Sequence, residues 1–164
     1  MVNKEVYQQL QQELTDKSIV LVAVSKTKPV ADIQALYDMG HRDFAENYVQ
    51  ELVEKQRQLP ADIRWHFIGH LQRNKVKEII PFVHLIHGID SLKLLVEVNK
   101  QAKRWNRNIS VLLQMHIARE ETKFGLDEAE LKEIINQLSG LTHVEVKGLM
   151  GMASFTEDKD LIRN

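Results

Sequence analysis

Six times along the chain a short apolar run is followed by a stretch with the 3.6-residue period of an amphipathic helix, and this alternation restricts the fold more than any other feature. The runs are "SIVLVAV" (18–24), "RDFAE" (42–46), "RWHFIG" (64–69), "FVHLIHGI" (82–89), "ISVLLQMHI" (109–117) and "HVEVKGLMGM" (143–152). A first helix is expected at roughly 3–16, ahead of them. Between them the expected helices are "PVADIQALYDM", "NYVQELVEKQRQL", "LQRNKVKEII", a long one from Asp90 or Ser91 to about Arg107, and "LDEAELKEIINQLS", with "EDKDLIRN" opening another. Parallel neighbours need crossover connections and helices supply them, so strict alternation predicts an α/β fold with a parallel sheet. "SIVLVAV" is apolar at every position but its first, which suits a strand covered on both faces. A single domain over 1–164 is expected, since 43% hydrophobic and 27% charged residues suffice for one core.

Two parallel architectures compete. A doubly wound sheet fits the 164 residues, whereas an eight-fold barrel needs about 200–250. Against the open sheet stands the lack of a glycine-rich phosphate turn after the first run. In either case ligands bind beyond the carboxyl ends of the strands, and those ends carry Ser25 and Lys26, Glu46 and Asn47, His66, Gly69 and His70, His87, then Gln114 and His116. Lys26 shares a strand face with Val20, Val22 and Val24, so an inward-pointing face delivers its ammonium to a barrel mouth. Lysine is an amine nucleophile once deprotonated, and desolvation or a neighbouring cation such as Lys28 favours that form. Two lysines solvated at a strand-to-helix turn are the plainer reading of the same residues.

Composition removes several classes. The chain has 22 basic and 23 acidic residues and no cysteine, so no global field recruits nucleic acid and no thiolate site exists. No apolar stretch approaches the ~18 residues of a membrane span, and the polar start "MVNKEVYQQLQQELTDK" is no secretory signal. A cytoplasmic protein without membrane or nucleic-acid partners is expected. His84 and His87 lie three apart, an odd offset that sends side chains to opposite faces of a regular strand, so a shared metal is not expected there. His66 and His70 need a turn to converge, and no metal is expected at that pair either. The basic residues of "KQAKRWNRN" complement a helix dipole, and the methionines of "GLMGM" read as packing at a strand end.

"VAVSKTKP", "FAENYVQE", "WHFIGHLQRNK", "IDSLKLL", "EETKFGL" and "GLMGM" together resemble, in order and spacing, the pyridoxal-phosphate-binding homeostasis proteins of the YggS family, over about residues 20–155. The resemblance implies a (β/α)8 TIM barrel of PLP fold type III, similar to the N-terminal barrel of alanine racemase. It implies pyridoxal 5′-phosphate (PLP) as cofactor, held as an internal aldimine on Lys26, with Asn47 beside it and His66 as a pocket neighbour. Family members continue with a serine- and methionine-rich strand end, a Gly-Ser-Thr turn and an arginine, which hold the phosphate and face the pyridine nitrogen. The chain is therefore expected to contain the first six βα units of a barrel truncated at its C-terminus. Two departures are His116, where the family has asparagine, and His70, at a variable position. The function implied is PLP binding and homeostasis, with PLP-dependent apoenzymes as recipients and without substantial catalysis. Alternatives are a PLP-dependent amino-acid racemase and a structural fragment that binds no cofactor.

Overall fold

The computed structural model describes residues 3–117 and 124–152. Helix α1 (Lys4–Thr15) precedes six strands, β1 (Ala23–Val24), β2 (Asp43–Glu46), β3 (Arg64–Phe67), β4 (Val83–Ile89), β5 (Ile109–Met115) and β6 (Val144–Gly151). Between them run α2 (Val30–Asp38), α3 (Val49–Gln58), α4 (Val76–Ile79), α5 (Leu92–Arg104) and α6 (Glu128–Gln137). All pairings are parallel, and the strand order is β1-β2-β3-β4-β5-β6. A doubly wound sheet reverses its strand order at a switch point; this sheet never reverses, which is the winding of a barrel. Residues 157–164, expected to open a helix, lie outside the described residues.

Local signals explain where the helices begin. Asn3 and Ser91 accept hydrogen bonds from the backbone N–H of Val6 and Leu94, and Asp127 and Glu130 form a reciprocal capping box at α6. The stretch expected as one helix over 71–80 is split into a 3₁₀ turn (Arg73–Lys75) followed by α4.

Register sorts the strand residues between two faces. Ala23, Phe44, Trp65 and Val83 are successive partners, and Phe44, Trp65 and Val83 join Leu52, Ile79, Leu95 and Val98 in one buried core beneath the helices. Val24, Ala45, His66 and Leu85 are partners on the opposite, inner face.

The first run departs from its expected burial. Only Ala23 and Val24 form the ladder, Val20 is 67% and Val24 50% exposed, and Ile19 is also exposed. Two causes are visible. Ala23 pairs with Phe44, the second residue of β2, so residues 19–22 run ahead of any partner strand; and among the described residues β1 pairs only with β2. Val20 and Val24 therefore have sheet neighbours on one side at most.

The face assignment of α5 is testable by truncation. Leu95 is fully buried and its neighbour Val96 is 41% exposed. Leu95→Ala is expected to cost about 2–5 kcal/mol in urea unfolding, and Val96→Ala about 0.5 kcal/mol or less.

Candidate functional site

At the end of β1 the chain reverses in a four-residue turn, Ser25 to Lys28, closed by the Lys28 N–H donating to the Ser25 carbonyl at 3.0 Å. Thr27 takes φ +62°, a left-handed conformation that a β-branched residue adopts only when its surroundings impose it. Lys26 occupies the turn's second position. It is exposed, and its ammonium makes no hydrogen bond or ion pair within the described residues.

The groups that impose this turn belong to a buried cluster. Lys55 of α3 has a side chain only 6% exposed, and its Nζ donates to the Ser25 carbonyl, Glu46 Oε1 and Glu51 Oε1, each at 2.7 Å. All three ammonium protons thus have acceptors. Ser25 Oγ donates to Glu46 Oε1 at 2.6 Å, and the Thr27 N–H donates to Glu51 Oε1 at 2.7 Å. Burial pushes the Glu46 carboxyl above its ordinary range, against the pull of the Lys55 and Ser25 bonds, and Glu46 Oε2 has no partner. At Glu51 the upward effect of burial is outweighed by bonds from Lys55 and the Thr27 N–H, and the carboxyl is held low. Helix α3 is thereby tied to the turn that displays Lys26. Lys55 was missed at the sequence level; its only local sign is the helical i,i+4 offset from Glu51, which ordinarily marks an exposed pair.

Asn47 follows the end of β2. Val24 pairs with Ala45, so Asn47 at the β2 exit and the Ser25–Lys28 turn leave adjacent strands. A Cβ on Gly69 would lie 2.1 Å from the Asn47 carbonyl oxygen, so only glycine allows the β3 exit to approach β2 this closely. The next contacts continue around the rim: Gly88 lies against Gln114 Oε1, and Gln114 Nε2 donates to the Phe124 carbonyl at 3.0 Å. His70 bonds Asp90 at 2.9 Å and stacks on Phe124 at 4.0 Å. A cavity of about 410 Å³ opens between Asn47, Tyr48, Phe67, His70, Gln72 and Lys75.

His66 is placed differently from Lys26 and Asn47. It lies within β3, level with Ala45, roughly 7 Å nearer the amino ends than the rim at ~3.3 Å per residue. His66 is buried, its Nε2 3.1 Å from Asp43 Oδ1 and its Nδ1 2.9 Å from His87 Nε2. Arg64 Nε donates to Asp43 Oδ1 at 2.7 Å, and its Nη2 bonds the other carboxylate oxygen. The expectation that His84 and His87 point to opposite faces is overturned. Trp65 pairs with Val83 but His66 pairs with Leu85, so β4 carries an extra residue, His84, in a β-bulge. The bulge breaks the period of two, and both rings meet His66, with centroids 5.4 Å and 5.2 Å away.

A parallel sheet wound in sequence order is the arrangement of the alanine-racemase-like barrels. The profile of the family described as alanine racemase, N-terminal domain, matches residues 4–163, and the chain belongs to that family. Within it, the chain is similar to proteins named pyridoxal phosphate homeostasis protein. The one from Synechocystis is 42% identical over 81% of the chain and 62% of its own length; that of Pasteurella multocida is 37% identical over 87% and 63%. The chain thus spans less than two thirds of these relatives. PipY of Synechococcus elongatus, solved without PLP, is 36% identical, covers 93% of this chain and 71% of its own, and superposes with a TM-score of 0.87. PipY solved with PLP bound superposes at 0.83.

The inner-face histidines give a pH signature. Burial, with the His66 ring adding to it, depresses the His87 pKa to about 4, and burial also lowers His66 and His84. Between about pH 6.5 and 4, His87 is therefore protonated more in the unfolded chain than in the folded one, so the stability contributed by neutral His87 is present above pH ~6.5 and lost toward pH 4. Glu46, raised by burial, acts in the opposite sense as pH falls. Urea unfolding across this window is expected to show a smaller loss for His87→Gln than for the parent protein; parallel profiles would mean that His87 is not held neutral.

Proposed function

We infer that the protein is a pyridoxal 5′-phosphate carrier, holding the cofactor at the carboxyl ends of its strands through Lys26 without substantial turnover of its own. The observation that carries this reading is the Lys26 amine, without a partner among the described residues, on a turn held by Lys55, Glu46 and Glu51. When bound, PLP supplies an aldehyde carbon to which an amine adds. The donor set fits: Lys26 offers the amine, Lys28 a cation two residues on, and Asn47 an amide at the exit of the adjacent strand. His66 lies one layer beneath, as part of the pocket floor. Gly69, with no side chain where β2 and β3 converge, lets the Asn47 backbone pack directly against the β3 exit.

The likeness to PipY, solved with PLP bound, supports the same reading, as does the shared name of the curated relatives. Carriage rather than racemisation is favoured by the tyrosines. A racemase needs a second acid–base group across the substrate from its lysine. Tyr7 is bonded to His41 and Tyr37 to Asp62, both away from the rim, leaving Tyr48 at the head of α3. Recipients would be PLP-dependent apoenzymes, and the compartment the cytoplasm. No helix among the described residues is long and apolar enough to cross a membrane.

A PLP titration followed by absorbance tests the proposal. The protein is expected to develop a band near the visible that Lys26→Ala lacks, and to leave added L-amino acids unracemised. An equal band in Lys26→Ala removes the lysine assignment, and sustained racemisation removes the carrier reading.

A further inference from the structure

We propose that the inner face of the sheet carries a zinc-class divalent metal site formed by Asp43 of β2, His66 of β3 and His84 of β4. One carboxylate oxygen and two imidazole nitrogens lie within 4.8 Å of one another there. Zinc ligands at about 2.0–2.2 Å in tetrahedral geometry stand roughly 3.3–3.5 Å apart. His66 Nε2 and Asp43 Oδ1, 3.1 Å apart, already approximate one edge of that tetrahedron. His84 has to close the remaining distance. It is exposed and sits in the bulge, and a rotation of its ring would carry a nitrogen toward the other two ligands.

The surroundings complete the site. A metal-bound imidazole ordinarily donates its other ring N–H to a fixed acceptor, which sets its orientation and basicity. His66 Nδ1 has such a partner in His87 Nε2 at 2.9 Å. Without metal, Asp43 favours the proton on His66 Nε2; with metal on Nε2, the proton resides on Nδ1 and His87 Nε2 accepts it. The cation now satisfying Asp43 is Arg64, whose side chain is 49% exposed and can leave toward solvent when a metal takes its place. Two imidazoles and one carboxylate leave a fourth position for water, a donor set suited to zinc and other borderline divalent ions rather than calcium or magnesium. Such an ion would tie three neighbouring strands together beneath the rim that carries Lys26.

Competition of the purified protein against a chromogenic zinc chelator tests this, with thermal unfolding confirming that each variant is folded. One zinc ion per chain is expected. His84→Ala should lose the site, and His87→Gln should weaken it about 10–100-fold, the usual effect of removing an outer hydrogen-bond partner. Arg64→Met should bind zinc more tightly, because it frees Asp43. X-ray absorption of the zinc-loaded protein should show two imidazole nitrogens at about 2.0–2.1 Å. Equal zinc affinity in the parent and His84→Ala proteins, no tighter binding in Arg64→Met, or no binding by the parent would each overturn the proposal.

Discussion

The site at the mouth of the sheet depends on a buried ammonium. Removing an ion from water costs several kcal/mol, and the cost is offset only if every proton finds an acceptor in good geometry. Lys55 meets that condition with three oxygens from three places in the chain: the Ser25 carbonyl after β1, Glu46 ending β2 and Glu51 in the first turn of α3. Because β1 contributes only two residues to the ladder, its exit has little sheet pairing to hold it. The ion cluster supplies that constraint instead. It also holds Thr27 in a left-handed conformation through Glu51, which leaves Lys26 in a fixed turn with its amine uncommitted among the described residues.

The two faces of the sheet handle polarity differently. The helix-facing side is filled by Phe44, Trp65, Phe67, Val83 and Ile86, which gain by leaving water and ask for no partners. The inner side carries Asp43, His66, His84 and His87 along with Ala45, and there each buried polar atom needs a named neighbour. At the carboxyl end the strand exits approach so closely that Gly69 tolerates no side chain. The sheet therefore carries Lys26 on the turn that leaves β1 at its carboxyl end, and an imidazole–carboxylate cluster on its inner face.

Much of this was legible in the sequence because it is local. Alternating strand and helix patterns, the helix start at Ser91, and the place of Lys26 at a strand exit all follow from residues within a few positions of one another. What escaped was non-local. The shortness of β1 depends on where β2 begins, and nothing in "SIVLVAV" reveals that. The bulge at His84 is a property of the pairing between β3 and β4, so an argument from odd spacing within one strand put His84 and His87 on opposite faces and failed. Lys55 looks like any lysine of a polar helix until Ser25 and Glu46 are brought to it from 30 and 9 residues away.

The central claim, that the Lys55 cluster selects Lys26 by holding its turn, is tested most directly by trapping bound PLP with borohydride and mapping the labelled peptide. The parent protein should carry the label on Lys26 and little on Lys28. In Lys55→Met combined with Glu46→Gln, which strands no buried carboxylate at this position, labelling should slow and spread to Lys28. A label on Lys28 in the parent protein, or unchanged speed and selectivity in the double variant, would contradict it.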